Sequence, residues 1–377
     1  MSESTTPTIR IQVPFMNLKA QYFSIKEQID AAIADVIEQS NFIGGKPIKE
    51  FERAFADLYG AKHCVGLGNG TDAIYITLKM LGIGAGDEVI TVANSWISTS
   101  ETISQTGATP VFVDVDEYFT IDVHQIEAHI TDRTKAIIPV HLYGQMCDMK
   151  AITTICQKHN LFLIEDCAQS HFSEYDGTRA GLFGNAATFS FYPGKNLGAY
   201  GDAGAVLTND SILSDQIRRY ANHGALVKHQ HQVEGINSRL DTIQAAILNA
   251  KLPYILNWTA QRIKNADYYD TILAAIPEIE LPKVRSNTVH SYHLYVIKAQ
   301  KRDELAHYLK INGIDTAVHY PTPLPLLPAY EYLKKTAQDF PVAEANRPKL
   351  LSLPMFPELS RLQQDHVFET IASFYKK

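Results

Sequence analysis

The sequence predicts an α/β fold whose large domain is built on a mostly parallel, seven-stranded sheet. Two observations carry this. Seven apolar runs of four to six residues recur between Cys64 and Thr208, the length of buried strands. Segments with apolar residues at helical spacing fit between most of them, the alternation that gives parallel strands joined by crossover helices. An apolar fraction of 45% over 377 residues is enough for a sizeable core.

In chain order, Leu18 to Ser40 reads as a helix with Tyr22, Ile25, Ile29, Ile33 and Ile37 on one face, and Pro47 to Leu58 as a second. The strands are Cys64–Leu67, Glu88–Val92, Pro110–Val115, Ala136–Val140, Leu161–Glu165, Ala187–Phe191 and Ala205–Thr208. Between them lie helices such as Asp72–Met80, Thr99–Gln105 and Met149–His159. Leu240 to about Leu273 reads as a long helical stretch kinked near Pro253, leading to a smaller C-terminal domain with mixed strand and helix signals. The expected division is 13–255 for the large α/β domain and 256–377 for the small α+β domain. Pro321 to Pro328 reads as a proline-stiffened, ordered loop rather than a linker.

Composition narrows the function. A net charge of −7 gives no electrostatic reason to expect a nucleic-acid partner. No apolar run is long enough to cross a membrane, and Met1 to Arg10 is polar with no signal-peptide core. The four cysteines, Cys64, Cys147, Cys156 and Cys167, show no paired metal spacing, so no metal is expected. Cys64 and Cys167 read as small buried hydrophobes. A cytoplasmic, reducing location is the simple inference.

The stretch Ser190-Phe191-Tyr192-Pro193-Gly194-Lys195-Asn196-Leu197-Gly198 places Lys195 on a loop between two core strands. A lysine confined there is partly desolvated, which favours the neutral, nucleophilic amine and hence a Schiff base. On this segment alone a snorkelling structural lysine fits equally well. Upstream, Leu161 to Glu165 is a buried strand and Asp166 stands at its C-terminal end, where open α/β sheets bind ligands. Asp alone is more often a cap or turn former. An aspartate and a lysine in this order are what a pyridoxal phosphate (PLP) enzyme needs. The lysine takes the cofactor aldehyde, and the carboxylate keeps the pyridine nitrogen protonated.

Glu165-Asp166-Cys167-Ala168-Gln169-Ser170-His171 followed by Ser190 to Gly198 resembles the PLP-dependent sugar aminotransferases of the DegT/DnrJ/EryC/StrS group. Gly68-Asn69-Gly70-Thr71-Asp72-Ala73, His141-Leu142-Tyr143-Gly144-Gln145 and Asn237-Ser238-Arg239-Leu240-Asp241 extend the likeness from about Val13 to the C-terminus. The resemblance implies a fold of the aspartate aminotransferase type (PLP fold type I). It implies PLP as cofactor, with Lys195 and Asp166 catalytic. Gly70, Thr71 and Ser190 would receive the phosphate, with Asn237 reaching it from a partner subunit. Trp96 would stack on the pyridine ring, and Gln169 would bond the phenolic oxygen. The glycine loop alone also fits a plain helix cap at Thr71 or Asp72, and Trp96 a core tryptophan.

The implied reaction moves an amino group from L-glutamate to a keto-sugar carried on a nucleotide, through a Lys195 Schiff base and ping-pong half reactions, in a homodimer with shared sites. Tyr192, Lys228, His229, His319 and Tyr320 are placed at the sugar and diphosphate, and Arg239 near the shared cofactor end. Lys228-His229-Gln230-His231 also reads as a solvated face, and Asn222 to Glu234 as a mobile loop. His141 to Gln145 and Ala317 to Leu324 look more like the branch acting on 3-keto sugars. Leu327-Pro328-Ala329-Tyr330 and Phe340-Pro341-Val342-Ala343 resemble enzymes for dTDP-3-keto-6-deoxyhexoses, which feed lipopolysaccharide, S-layer or antibiotic sugars. A UDP-3-keto-hexuronate or a 4-keto sugar is the alternative acceptor. His171-Phe172-Ser173 and Gly194 depart from the group's usual residues without removing a group that transamination needs.

Other readings remain. The sugar dehydratases of this fold replace the lysine with histidine, so Lys195 argues against them. Amino-acid transaminases usually carry an arginine for the substrate carboxylate in the C-terminal domain, and Arg302, Arg347 and Arg361 are the only candidates, none in a telling motif. A non-enzymatic scaffold would not need Lys195 and Asp166 together.

Overall fold

The structure, a computed structural model, describes residues 11–376. Met1 to Arg10, read above as lacking a signal-peptide core, lies outside them. The strands in chain order are β1 His63–Leu67, β2 Glu88–Val92, β3 Thr109–Val113, β4 Thr134–Ile138, β5 Phe162–Asp166, β6 Glu174–Tyr175, β7 Thr178–Arg179, β8 Ala186–Ser190, β9 Gly204–Thr208, β10 Ile279–Glu280, β11 Thr288–Val289, β12 Tyr295–Ala299 and β13 Leu350–Leu353.

Seven of them form the main sheet in the order β1-β9-β8-β5-β4-β2-β3. The pairs from β8 to β3 are all parallel, while β9 runs antiparallel to both β1 and β8. The sheet is therefore mostly parallel, as the strand–helix alternation predicts. Its parallel strands end on one edge, which brings the residues after Val92, Asp166 and Ser190 together. The helix Gly70–Met80 begins beside them.

Two large apolar cores, with two smaller clusters where the helix Gly70–Met80 packs on the sheet, hold this arrangement. The first packs Phe51, Phe55, Phe189 and Phe191 edge-to-face under the sheet. It also takes in Leu324, Tyr330 and Phe340, so the proline-rich stretch docks on it. Leu324 N–H donates to the Ala93 carbonyl at 2.7 Å, and the stretch forms short 3-10 turns over Leu324–Leu326 and Pro328–Leu333. The second core gathers Tyr269, Tyr295, Ile297, Leu305, Leu351, Val367 and Ile371 around the sheet β10-β12-β13. Val13 belongs to it as well, held by its N–H on the Gly313 carbonyl at 2.9 Å.

The first helical stretch departs from expectation. It is two helices, Leu18–Ser24 and Lys26–Glu38, broken at Ile25, whose side chain turns into the first core. Past the break Val36 takes the buried place and Ile37 is 54% exposed. The later stretch breaks near Pro253, into Thr242–Lys251, a 3-10 turn Leu252–Tyr254 and Ile255–Leu273. All four cysteines are free and buried. Among the described residues no helix is long and apolar enough to cross a membrane.

Candidate active site

A cavity of about 680 Å³ opens at the C-terminal edge of the parallel strands. One wall is the turn after β1. Asn69 caps the helix Gly70–Met80, its side chain accepting from Asp72 N–H at 2.8 Å. The cap is therefore Asn69 rather than Thr71 or Asp72. Thr71 is left to pair its hydroxyl with Ser98 Oγ at 2.7 Å on the cavity wall.

Two glycines bring the backbones together here. A Cβ on Gly70 would stand 2.7 Å from Ser190 Cβ, and one on Gly204 2.3 Å from the Asn69 carbonyl carbon. The helix N-terminus and the end of β8 thus meet at van der Waals limit, with the Ser190 hydroxyl beside them. Free helix N–H groups, two hydroxyls and a backbone with no side chain in the way suit an anion such as a phosphate.

Asp166 ends β5 at the cavity floor. Its Oδ2 accepts from Thr99 Oγ1 at 2.8 Å and its Oδ1 from Ala168 N–H at 3.1 Å. Burial raises its pKa, opposed by those donors and by the nearby Lys195. Behind it, Glu165 accepts N–H bonds from Gly181, Phe183 and Gly184 and pairs with His141 Nε2 at 3.0 Å. These bonds occupy Glu165 within the one trio, His141, Glu165 and Cys167, that gathers potential metal-ligand atoms among the described residues.

Lys195 lies on the loop after β8, partly buried and lining the same cavity. Burial lowers its amine to about 8, with Asp166 pulling the other way. No side-chain hydrogen bond to this amine forms among the described residues.

Gln169 is oriented by two bonds. Its Oε1 accepts from Tyr143 N–H at 2.7 Å and its Nε2 donates to Tyr320 Oη at 3.0 Å. Trp96 is 58% exposed, so it is no core residue. It stands at the cavity wall with its ring centroid 6.0 Å from that of Tyr320. His319 is fixed by Ser352 Oγ at 2.8 Å, by the Phe15 ring at 5.8 Å and by the Tyr143 hydroxyl on its carbonyl. Burial lowers its imidazole to about 4, with Lys195 adding to the effect, so it is neutral near pH 7.

The cavity thus brings together Gly70, Thr71, Trp96, Asp166, Gln169, Ser190, Tyr192, Lys195, His319 and Tyr320. Four expected residues lie outside it. Asn237 is exposed on a backbone bridge to Asn222. Lys228 and His229 are exposed on the 226–234 loop. Arg239 lines a separate cleft of about 350 Å³ with Ile43 and Leu226 and donates to Asn222 Oδ1 at 3.1 Å. Arg302, Arg347 and Arg361 also lie elsewhere, bonded to the Leu350 and Pro321 carbonyls and to Gln364. Sequence reasoning missed Thr99, which reaches Asp166 across 67 positions of chain, and Ser98. Both open the helix Ser98–Gln105, right after Trp96, and that proximity was the available signal.

Known proteins resemble this chain over nearly its whole length. Residues 23–372 match the model of the DegT/DnrJ/EryC1/StrS aminotransferase family. A Geobacillus stearothermophilus protein named as a pleiotropic regulatory protein is 47% identical, covering 97% of this chain and 99% of its own. The dTDP-3-amino-3,4,6-trideoxy-alpha-D-glucose transaminase of Streptomyces venezuelae is 40% identical, covering 100% of this chain and 98% of its own. A crystal structure of S. venezuelae DesV in complex with a ketimine intermediate superposes with a TM-score of 0.95 at 41% identity, covering 97% of this chain and 99% of that one.

Proposed function

This chain belongs to the DegT/DnrJ/EryC1/StrS aminotransferase family, and we propose that it uses PLP to move an amino group from L-glutamate to C3 of a nucleotide-linked keto-sugar, a dTDP-3-keto-6-deoxyhexose. The observation that carries the reading is the single cavity in which Lys195, Asp166 and the Gly70–Thr71–Ser190 cradle face one another. The likeness to the S. venezuelae transaminase supports the sugar class.

The residues present fit the cofactor. The cradle forms because Gly70 lacks the Cβ that Ser190 would meet, which lets the helix N-terminus and Ser190 stand side by side on the cavity wall. Gly70, Thr71 and Ser190 would hold the phosphate, Asp166 the ring nitrogen, Gln169 the phenolic oxygen and Trp96 one ring face. Bound there, PLP supplies an aldehyde that accepts an amine and a protonated ring that withdraws an electron pair from the substrate carbon.

Asp166, clamped by Thr99 and Ala168, would hold the ring nitrogen of the cofactor and favour its protonated form. Lys195, lowered to about 8, keeps a free-amine fraction at neutral pH and serves as nucleophile. With PLP held there, the Lys195 amine would be the group placed to hold and move a proton at the substrate carbon, in one direction in the first half reaction and in the other in the second. Because donor and acceptor use one cavity in turn, the kinetics are ping-pong. Tyr192, His319 and Tyr320 line the side left for the sugar.

Asn237, Lys228, His229 and Arg239 serve the partner's site in a homodimer. Exposed Ile43 and Leu226 beside Arg239 support this face as one that is covered in the assembly. Residues 13–255 serve as the cofactor domain and 256–377 as the domain that closes the cavity through Val318 to Pro321, although Val13 packs in the second core and Leu324, Tyr330 and Phe340 in the first. Four free buried cysteines fit a reducing cytoplasm.

A single-turnover assay tests the acceptor. The enzyme is converted to its amine form with glutamate, freed of glutamate, and given 3-keto and 4-keto nucleotide sugars separately. Return of the cofactor's original absorption with a dTDP-3-keto-6-deoxyhexose, and an aminated product by mass spectrometry, is expected. Return only with a 4-keto sugar or a UDP-3-keto-uronate overturns the acceptor. No return with any sugar overturns the sugar class.

A further inference from the structure

Lys251 ends the helix Thr242–Lys251 and is fully buried, at 0% exposure. The chemistry above does not use it, and lysine is seldom buried unless paired. Its Nζ donates to the Gly198 carbonyl at 2.7 Å and stands 4.2 Å from the centroid of the Tyr200 ring. The same helix grips the loop a second time, Gln244 Oε1 accepting from Tyr200 N–H at 2.9 Å.

The opposite side of the loop is held too. Asn196 Nδ2 donates to the Ser291 carbonyl at 3.1 Å, and its Oδ1 lies 3.1 Å from His293 Nδ1. Buried Arg262 binds the carbonyls of Tyr292, His293 and Met355 at 3.1, 3.3 and 2.9 Å. Burial lowers the Lys251 amine to about 8 and also lowers the Arg262 guanidinium, with Glu358 working against the effect at both. The loop is therefore anchored twice just after Lys195, at Asn196 and at Gly198.

We propose that Lys251 is a positioning residue for Lys195: by holding the Gly198 carbonyl it keeps the 195–200 loop packed and the Lys195 amine partly dehydrated. An apolar residue of the same length would leave that carbonyl without its donor, at the cost of an unpaired buried group. Water then reaches the loop, and the Lys195 amine returns toward its ordinary range. The inference rests on the reading of Lys195 as the reactive amine.

Trace labelling with acetic anhydride, read lysine by lysine by peptide mass spectrometry, tests it on the full-length, cofactor-free protein. In the native chain Lys195 should reach half its maximal reactivity at about pH 8. Lys251→Met keeps the length and removes the donor, and an apolar residue of similar volume in place of a buried charge is commonly tolerated. The Lys195 midpoint is expected to rise by roughly one unit, a tenfold loss of free amine at neutral pH. Tyr200→Leu, at a residue 36% exposed, removes the ring beneath the ammonium and should shift the midpoint the same way by less. A native midpoint in folded Lys251→Met protein overturns the proposal, and if that variant does not fold, a native midpoint in Tyr200→Leu overturns it. Labelling needs neither cofactor nor substrate, so failure to aminate any sugar would leave this test standing.

Discussion

Replacing Lys195 with methionine should make the cofactor-free protein more stable at neutral pH and inactive at every pH. The side chain is partly buried, and burial lowers its amine from 10.5 to about 8. Between those two values the unfolded chain carries a proton that the folded chain has lost, so native stability rises with pH across that window. Below about pH 8 both states are charged, and the folded state bears the full cost of a half-dehydrated ammonium. At about 1.4 kcal/mol per unit, the shift corresponds to at most about 3.5 kcal/mol, and to somewhat less for a side chain that is only partly buried. Methionine keeps the chain length and carries no charge, so the variant lacks this cost. Urea unfolding of both cofactor-free proteins, at equal concentration and at several pH values, reads the difference. The variant should lead by up to about 3 kcal/mol at pH 7, and the lead should shrink toward zero near pH 10. Equal stability at pH 7, or a lead that does not shrink, would refute the claim that burial strains this lysine.

Three further outcomes follow from single contacts. Thr99→Val removes the donor to Asp166 Oδ2, so Asp166 should protonate at higher pH than in the native chain; PLP retention by equilibrium dialysis should fall about ten- to hundredfold. Gly70→Ala drives a Cβ to within 2.7 Å of Ser190 Cβ, and the same dialysis should show PLP affinity lowered at least about tenfold with the fold retained by circular dichroism. Lys195→Ala and Asn237→Ala proteins, each impaired alone, should on mixing and subunit exchange regain native sites at about a quarter of the total, which steady-state turnover would show; exchange without recovery counts against shared sites.

The sequence showed most of what is local in this fold. Each strand of the seven-stranded sheet is a largely apolar run, and Asp166 and Lys195 are legible because one ends such a run and the other lies five residues past the end of one. The break at Ile25 was not legible, because Ile25 and Ile29 keep helical spacing across it and only packing separates the two helices. The cap on the phosphate-side helix is Asn69, two and three residues before the Thr71 and Asp72 that also read as caps, since all three residue types are capable of capping. Thr99 and Lys251 were invisible for one shared reason. Their partners, Asp166 and Gly198, are distant in sequence, and a threonine or lysine on a helix ordinarily faces water.

The most direct test of the account is to load the protein with PLP, reduce it with borohydride, and locate the added mass by peptide mapping. Reduction fixes the cofactor to whichever amine holds it. The account predicts the mass on the peptide carrying Lys195, and its absence there in Asp166→Ala protein washed before reduction. Mass on another lysine, such as Lys251, or none on native protein under saturating PLP, would contradict it.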